Sequence, residues 1–468
     1  MRRMEASSRA ESSLLISGRW VLPVATPPLA NGAVLVAGER IAAVGGLEKV
    51  AQAAGPQTQR LHFSDGVILP GLVNVHTHLE LTALRGLLEE TDFFRWIRKL
   101  VDLKAQRLDA RFYELSAMWG ALEAVRGGVT MVADACDSGA TVQALDKIGL
   151  RGIVYQEVFG PDERQREESL LGLRRALDRH RSQASQRVTI GVSPHSPYTV
   201  SAPLLRSVAE LALAERLPLS IHAAESSAER DLLTRGEGSF AELFAARGIA
   251  WKAPRTSSLR YLEEQGVLDA RPLLVHCVDL SADDIAAVHR SGASIAHCPK
   301  SNAKLCHGVA PLLEILAAQI RTGLGTDGSV SSNNCDLLEE ARAAVFLQRA
   351  RSGLARAASG SLDARQALRI ATLGGAEALG FESELGSLEA GKRASLVVLD
   401  LRAPRHQPIH DAEAAVIFGA GAADVALTVV DGRILYDGRT VAGIDESELR
   451  RELDSACSAL RARAPADG

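Results

Sequence analysis

The chain has 468 residues, of which 46% are hydrophobic and 24% charged, an ordinary globular balance that excludes the disordered, collagen-like and coiled-coil classes. Its 53 basic and 57 acidic residues are interspersed and leave a net charge of −4, so no broad basic surface is expected for nucleic acid or an anionic membrane, and a small-molecule partner fits better. Six cysteines without a CxxC pair argue against a disulfide framework or a cysteine-built zinc site. The leading MRRMEASSRAESS runs into no apolar stretch long enough for a signal or spanning helix, and the expectation is a soluble, cytoplasmic protein with free thiols.

From Leu14 to about Asp65 short strand-like runs (LLISGRWVLP, GAVLVAGERIAAVGG) are broken by Gly, Pro and Asn. From about Val67 to Glu384 the texture changes. Short apolar runs, VILPGLVNVH, VTMVADAC, GIVYQEVFG, VTIGVSPH, LPLSIHAAE, PLLVHCVD, ASIAHCP and RTGLGTD, alternate with helical patterns, and eight βα units predict a (β/α)8 barrel. Helix ends are readable: Ser281 with Asp284 forms a capping box, Gly292 suits a C-cap, and Ser201 opens APLLRSVAELALAERL. Strand texture returns in ASLVVLDL, Val425–Val430 and RILYDG, with Asp431-Gly432 as a hairpin turn, and the two ends are expected to pair into one β-sandwich. The predicted organisation is therefore 1–66 and 385–443 as the sandwich, 67–384 as the barrel and 444–468 as a terminal helix.

His76, His78, His195, His222, His276, His297 and Asp327 each fall at the C-terminal end of one of the eight runs, the active face of a barrel. Period-2 alternation puts His76 and His78 on one side of an extended backbone, where two imidazoles can chelate one divalent ion. Alone an HxH is usually incidental, but a third imidazole, His222, and a carboxylate, Asp327, end other strands and turn the balance towards a metal site. A buried core histidine remains the plain alternative for His276, and helix capping the one for Asp327. His62, His180, His289 and His406 lie off the strand ends and read as ordinary, while Cys277, Cys298 and Cys306 read as small buried hydrophobes.

PGLVNVHTHLEL, SIHAAES, LLVHC, AHCPKSNAKL and GLGTDGSVSSN, in this order, resemble the amidohydrolase superfamily, in particular its nucleoside deaminase and chlorohydrolase branch. The resemblance covers nearly the whole chain and implies a barrel with a split β-sandwich and one metal ion, usually Zn2+ and sometimes Fe2+. It implies His76, His78, His222 and Asp327 as ligands, and His276 beside the metal-bound water; a bridging lysine is absent from TIGVSPHSP, which favours a single ion. Glu225, three residues after His222, takes the place of the proton shuttle, a role the chemistry requires because both the ring nitrogen and the departing amine must be protonated. The catalytic set is thus Glu225, His276 and Asp327.

Substrate contacts are expected from Glu80, on the same side as His78, from Trp96 on a helix over the mouth, from His195 in SPHSPY, and from Asn302 in the SNAKL loop with Lys304 and His307 beyond. The resemblance implies conversion of an adenine ring to hypoxanthine and ammonia. HLEL and QEVFGP look like the aminodeoxyfutalosine deaminases, while Ala105, where the homocysteine-nucleoside enzymes carry a glutamate, and Gln156 and Glu157, where they carry an arginine, depart from that group; the aminodeoxyfutalosine reading is the one preferred from sequence. The alternatives are a deaminase of S-adenosylhomocysteine, methylthioadenosine or adenosine, for which KSNAKL and GTDGSVSSNN speak, a triazine-type or lactam hydrolase, and a scaffold without activity. Homo-oligomers are common among the proteins this chain resembles, and the resemblance adds a homo-oligomer to the expectations.

Overall fold

The computed structural model describes residues 13–357 and 361–462; the leading dodecapeptide read for a targeting signal lies outside them. Strands β1 (Ser13–Val21), β2 (Leu29–Ala37), β3 (Arg40–Gly46) and β4 (Gln59–Pro70) open the chain. After them come β5 (Leu72–Thr77), β6 (Val129–Cys136), β7 (Arg151–Val158), β8 (Val188–Pro194), β9 (Ser220–Ala223), β10 (Leu273–His276), β11 (Ser294–His297) and β12 (Thr322–Leu324), and then β13 (Leu396–Asp400), β14 (Val425–Val430) and β15 (Arg433–Tyr436).

The two ends of the chain meet where β4 pairs antiparallel with β13, Leu396 opposite Pro70 through Asp400 opposite Gly66. They build one seven-stranded sheet in the order β15-β14-β13-β4-β1-β2-β3. The expected sandwich of two stacked layers is not present as separate sheets among the described residues. One face of the sheet buries Ile16, Val34, Val36, Ile68, Leu396, Val398 and Val429, which is what the β-branched texture of both termini encodes. The β14–β15 turn falls on Asp431-Gly432, with φ of 48° and 73°, the two left-handed residues that a tight hairpin turn demands.

Strands β5 to β12 supply two four-stranded sheets in which every neighbouring pair is parallel. At one seam Val192 bridges to Leu219, and at the other Thr77 bridges to Asp327. Most of these strands are buried along their whole length, as expected where helices cover a parallel sheet. Each of the eight apolar runs contains one strand, except that the first is divided. Its VILP half ends β4, and Gly71 separates it from β5; a Cβ on Gly71 would lie 2.1 Å from Thr130 Oγ1, so only glycine lets the chain pass there. The Ser281–Asp284 capping box and the left-handed Gly292 are present around the helix Ala282–Ser291. Among the described residues no helix is long and apolar enough to cross a membrane.

Candidate metal centre and cavity

The strand ends converge. β5 presents His76 and, one residue beyond it, His78, with ring centroids 4.8 Å apart. Asp327 follows β12 in a Gly-Thr-Asp-Gly turn, at φ 57°, and its N–H donates to the His76 carbonyl at 2.9 Å. That bond fixes one seam and aims the carboxylate inward. Ser301 and Ser331 hydroxyls donate to Oδ2 at 2.5 and 2.7 Å, so Oδ1 alone faces the imidazoles, 3.3 Å from His76 Nε2 and 3.5 Å from His78 Nε2.

His222 on β9 donates from Nδ1 to the His195 carbonyl at 2.9 Å, which leaves its Nε2 lone pair free. Its ring lies 5.0 Å from His76 and 5.4 Å from His276. His276, at φ 73°, is tied through Nδ1 to Asn302 Oδ1 at 2.9 Å.

The donor set fits a divalent ion. Ligand atoms ~2.1 Å from a tetrahedral centre stand ~3.4 Å from one another, which matches the spacing around Asp327 Oδ1. His76 Nε2 is buried and makes no hydrogen bond. Two overlapping triads, His76–His78–Asp327 and His76–His222–His276, bring their donor atoms within 4.8 Å. Geometry therefore groups His276 with the other imidazoles, where the sequence reading kept it outside the ligand set. Burial, reinforced by neighbouring imidazoles, lowers His78 well below its ordinary range and His222 to about 4, so both are neutral donors near pH 7. Burial opposes the charge on Asp327, but contact with His76 and the nearby rings outweighs it and holds the carboxyl well below its usual range.

Glu225 stands beside this cluster. Tyr198 Oη donates to its Oε2 at 2.9 Å, while His276 Nε2 and His307 Nε2 lie 3.5 and 3.4 Å from Oε1. Burial works against ionisation, yet His276 and His307 overcome it and keep Glu225 a carboxylate.

A cavity of about 140 Å³ opens above these groups. The helix Phe93–Arg107 gives it an apolar wall of Phe93, Trp96, Ile97 and Leu100, opposite Phe159, His195 and Tyr198. Trp96 stacks on Phe93, centroids 6.3 Å apart, so the indole both lines the cavity and belongs to a hydrophobic cluster. His195 lines the cavity too, with Nδ1 bonded to Thr199 Oγ1 at 2.9 Å.

Two of the expected substrate contacts lie away from the cavity lining. Glu80 is buried and does not line the cavity: it accepts from Cys136 Sγ at 3.1 Å and from the Asp137 and Ser138 N–H groups at 3.0 Å, which holds the turn after β6. Asn302 likewise faces His276 rather than the cavity. Cys306 is exposed, whereas Cys277 and Cys298 are buried. The sequence reading gave no role to Glu157, which burial pushes up to about 8 and whose Oε1 makes no hydrogen bond, 3.9 Å from His195 Nε2. It also gave no role to Ser301 or Ser331, took Tyr198 only as the end of the SPHSPY element, and left His307 as one member of a polar loop; only the tertiary contacts reveal what they hold.

Eight parallel strands carrying a histidine-rich cluster at their C-terminal ends define a class, and the amidohydrolase family profile matches residues 67–435. The chain belongs to the amidohydrolase family. It is 32% identical over 451 residues, 94% of this chain and 97% of the relative, to the 5-methylthioadenosine/S-adenosylhomocysteine deaminase of Pelotomaculum thermopropionicum. With the 5'-deoxyadenosine deaminase of Methanobrevibacter smithii it shares 30% identity over 462 residues, 96% of this chain and 99% of that one. Among solved structures, an adenosine deaminase from Xanthomonas campestris with bound zinc superposes with a TM-score of 0.85 at 27% identity, covering 96% and 99% of the two chains.

Proposed function

We propose that this protein is a hydrolytic deaminase of adenine nucleosides, with a 5'-substituted adenosine such as 5-methylthioadenosine, S-adenosylhomocysteine or 5'-deoxyadenosine as substrate. The observation that carries the reading is Glu225, an ionised buried carboxylate between Tyr198 and His276 at the edge of the donor cluster. The names of the full-length relatives support the adenine nucleoside as substrate. In this reading the two four-stranded sheets form one (β/α)8 barrel that begins at β5, beside the terminal sheet built from both ends of the chain.

His76, His78, His222 and Asp327 would hold one zinc ion. When bound, such an ion lowers the pKa of coordinated water towards neutrality and so supplies the nucleophile. The chain's own groups do the rest. Glu225 accepts the proton that water gives up and delivers it to the ring nitrogen next to the reacting carbon; it then takes the proton of the hydroxyl added to that carbon and passes it to the amine, which leaves as ammonia as the C–N bond breaks and the C=O forms. His276, its Nδ1–H anchored on Asn302, keeps Nε2 directed at the same locus and steadies developing charge. Phe93, Trp96, Ile97 and Leu100 offer a flat apolar wall for the purine and exclude bulk water.

The test is ammonia release with the adenine-to-hypoxanthine absorbance change, using zinc-loaded protein and a panel of the three substrates above, adenosine and aminodeoxyfutalosine. The highest kcat/KM on a 5'-substituted adenosine is the expected result, and no absorbance change on any member overturns the reading. Aminodeoxyfutalosine is the second reading, for the HLEL and QEVFGP segments; preference for it in the same panel would replace the first.

A further inference from the structure

Ser226-x-x-Glu229 has the spacing of a helix capping box. Ser226 does cap the helix Ser227–Thr234, its Oγ accepting from the Glu229 N–H at 3.2 Å. In an ordinary box the glutamate then returns to the N–H of the capping residue itself. Here it reaches further back. Oε1 accepts from Ala224 N at 3.0 Å and Oε2 from Glu225 N at 2.9 Å, while the Ser258 hydroxyl, at the start of the helix Ser258–Glu264, donates to Oε1 at 2.5 Å. Glu229 is fully buried and does not line the cavity.

The backbone it grips is strained. Ala224 sits at φ 52°, a conformation that L residues adopt only when their surroundings impose it. Its carbonyl accepts from Val278 N at 2.8 Å and Asp279 N at 3.0 Å, so the residue before Glu225 is pinned on both sides. Removing Glu229 would leave two buried N–H donors unpaired and free the turn that presents the Glu225 side chain.

We infer that Glu229 is a positioning residue for catalysis: its carboxylate, anchored by Ser258, fixes the Ala224–Glu225 backbone and thereby sets where the Glu225 carboxyl stands over the reaction locus. This rests on the reading of Glu225 as proton carrier. Misplacing a catalytic group by ~1 Å costs on the order of 100-fold in rate, whereas substrate binding on the apolar wall is untouched.

The test compares the parent with Glu229→Gln, Ser258→Ala and Glu225→Gln for zinc content, for kcat and KM on the best substrate of the panel, and for amide exchange at Ala224 and Glu225. Glutamine keeps the size but offers one acceptor oxygen in place of two. The expected result for Glu229→Gln is parental zinc content, KM within about threefold, kcat lower by roughly 30- to 100-fold, and exchange at the two amides at least about tenfold faster. Ser258→Ala, which removes only one donor, is expected to lower kcat by about three- to tenfold. Parental kcat in Glu229→Gln beside an inert Glu225→Gln overturns the inference alone. Zinc loss in parallel with turnover also overturns it, since Glu229 would then support the whole site. Parental turnover in Glu225→Gln instead overturns the proton-carrier reading and this inference together, and unchanged amide exchange in Glu229→Gln overturns the inference whatever the activity.

Discussion

The halves built by β5–β8 and by β9–β12 obey different backbone rules. In the first, spanning Leu72 to Pro194, every residue at positive φ is a glycine, Gly86, Gly128, Gly139, Gly149 and Gly160. In the second, Ala224, His276, Cys277 and Asp327 adopt positive φ directly at the strand ends. The strands differ as well: six to eight residues in the first half, three or four in the second. The long half is relaxed and supplies scaffold together with the HxH pair; the short half is strained, and two of its strained residues, His276 and Asp327, line the cavity. Strain of this kind persists only where the surroundings over-determine it, as Glu229, Asn302, Ser301 and Ser331 do here.

The contrast can be broken at its sharpest point first. Asp327→Asn keeps the fold of the turn but weakens the one carboxylate donor; zinc content measured by atomic emission should fall and turnover drop by at least about 1000-fold. Retained zinc and activity would remove Asp327 from the ligand set. In the relaxed half, Gly139→Ala places a Cβ 2.1 Å from His180 Nε2 at φ 83°, and should cost about 2–4 kcal/mol in denaturant unfolding with zinc content per folded molecule unchanged.

A pH series sharpens the comparison further. His297, at the end of β11, is buried with both ring nitrogens unpartnered, and burial lowers it to about 3. Between pH 6.5 and 3 the unfolded chain binds a proton there that the native protein refuses, so this group makes stability fall as pH falls through that window. His297→Leu should flatten the acid limb of stability by up to about 3 kcal/mol and leave stability at pH 8 nearly as in the parent; an unaltered limb would locate the acid sensitivity elsewhere. The smallest effect is expected for Ala224→Gly, where relief of the left-handed penalty roughly offsets the added freedom of the unfolded chain, for a net change within about 1 kcal/mol by thermal melting.

The sequence announced the eight strands because each is a short apolar run ending in polar residues, and it announced His76, His78, His222 and Asp327 because period and position put them at one rim. It could not show what satisfies a buried polar group. Glu80 resembles a cavity residue by its spacing from His78, yet the turn after β6 consumes both its oxygens; Asn302 is consumed by His276. His297 meets the same strand-end criterion as His276 and still lies off the cavity wall. The terminal sheet was legible as strand texture, but its being one sheet depends on β4 meeting β13 across more than three hundred residues of chain, a pairing that local pattern does not encode.

Gly71 is the only residue between the last position of β4 and the first of β5, and so the strand that anchors the terminal sheet is mechanically continuous with the strand that bears His76 and His78. The practical outcome concerns dissection. A fragment trimmed to begin at β5 would remove β4, orphan β13 and release the root of the HxH segment, whereas circular permutation that keeps β4 and β5 as one rod should preserve the placement of His76 and His78.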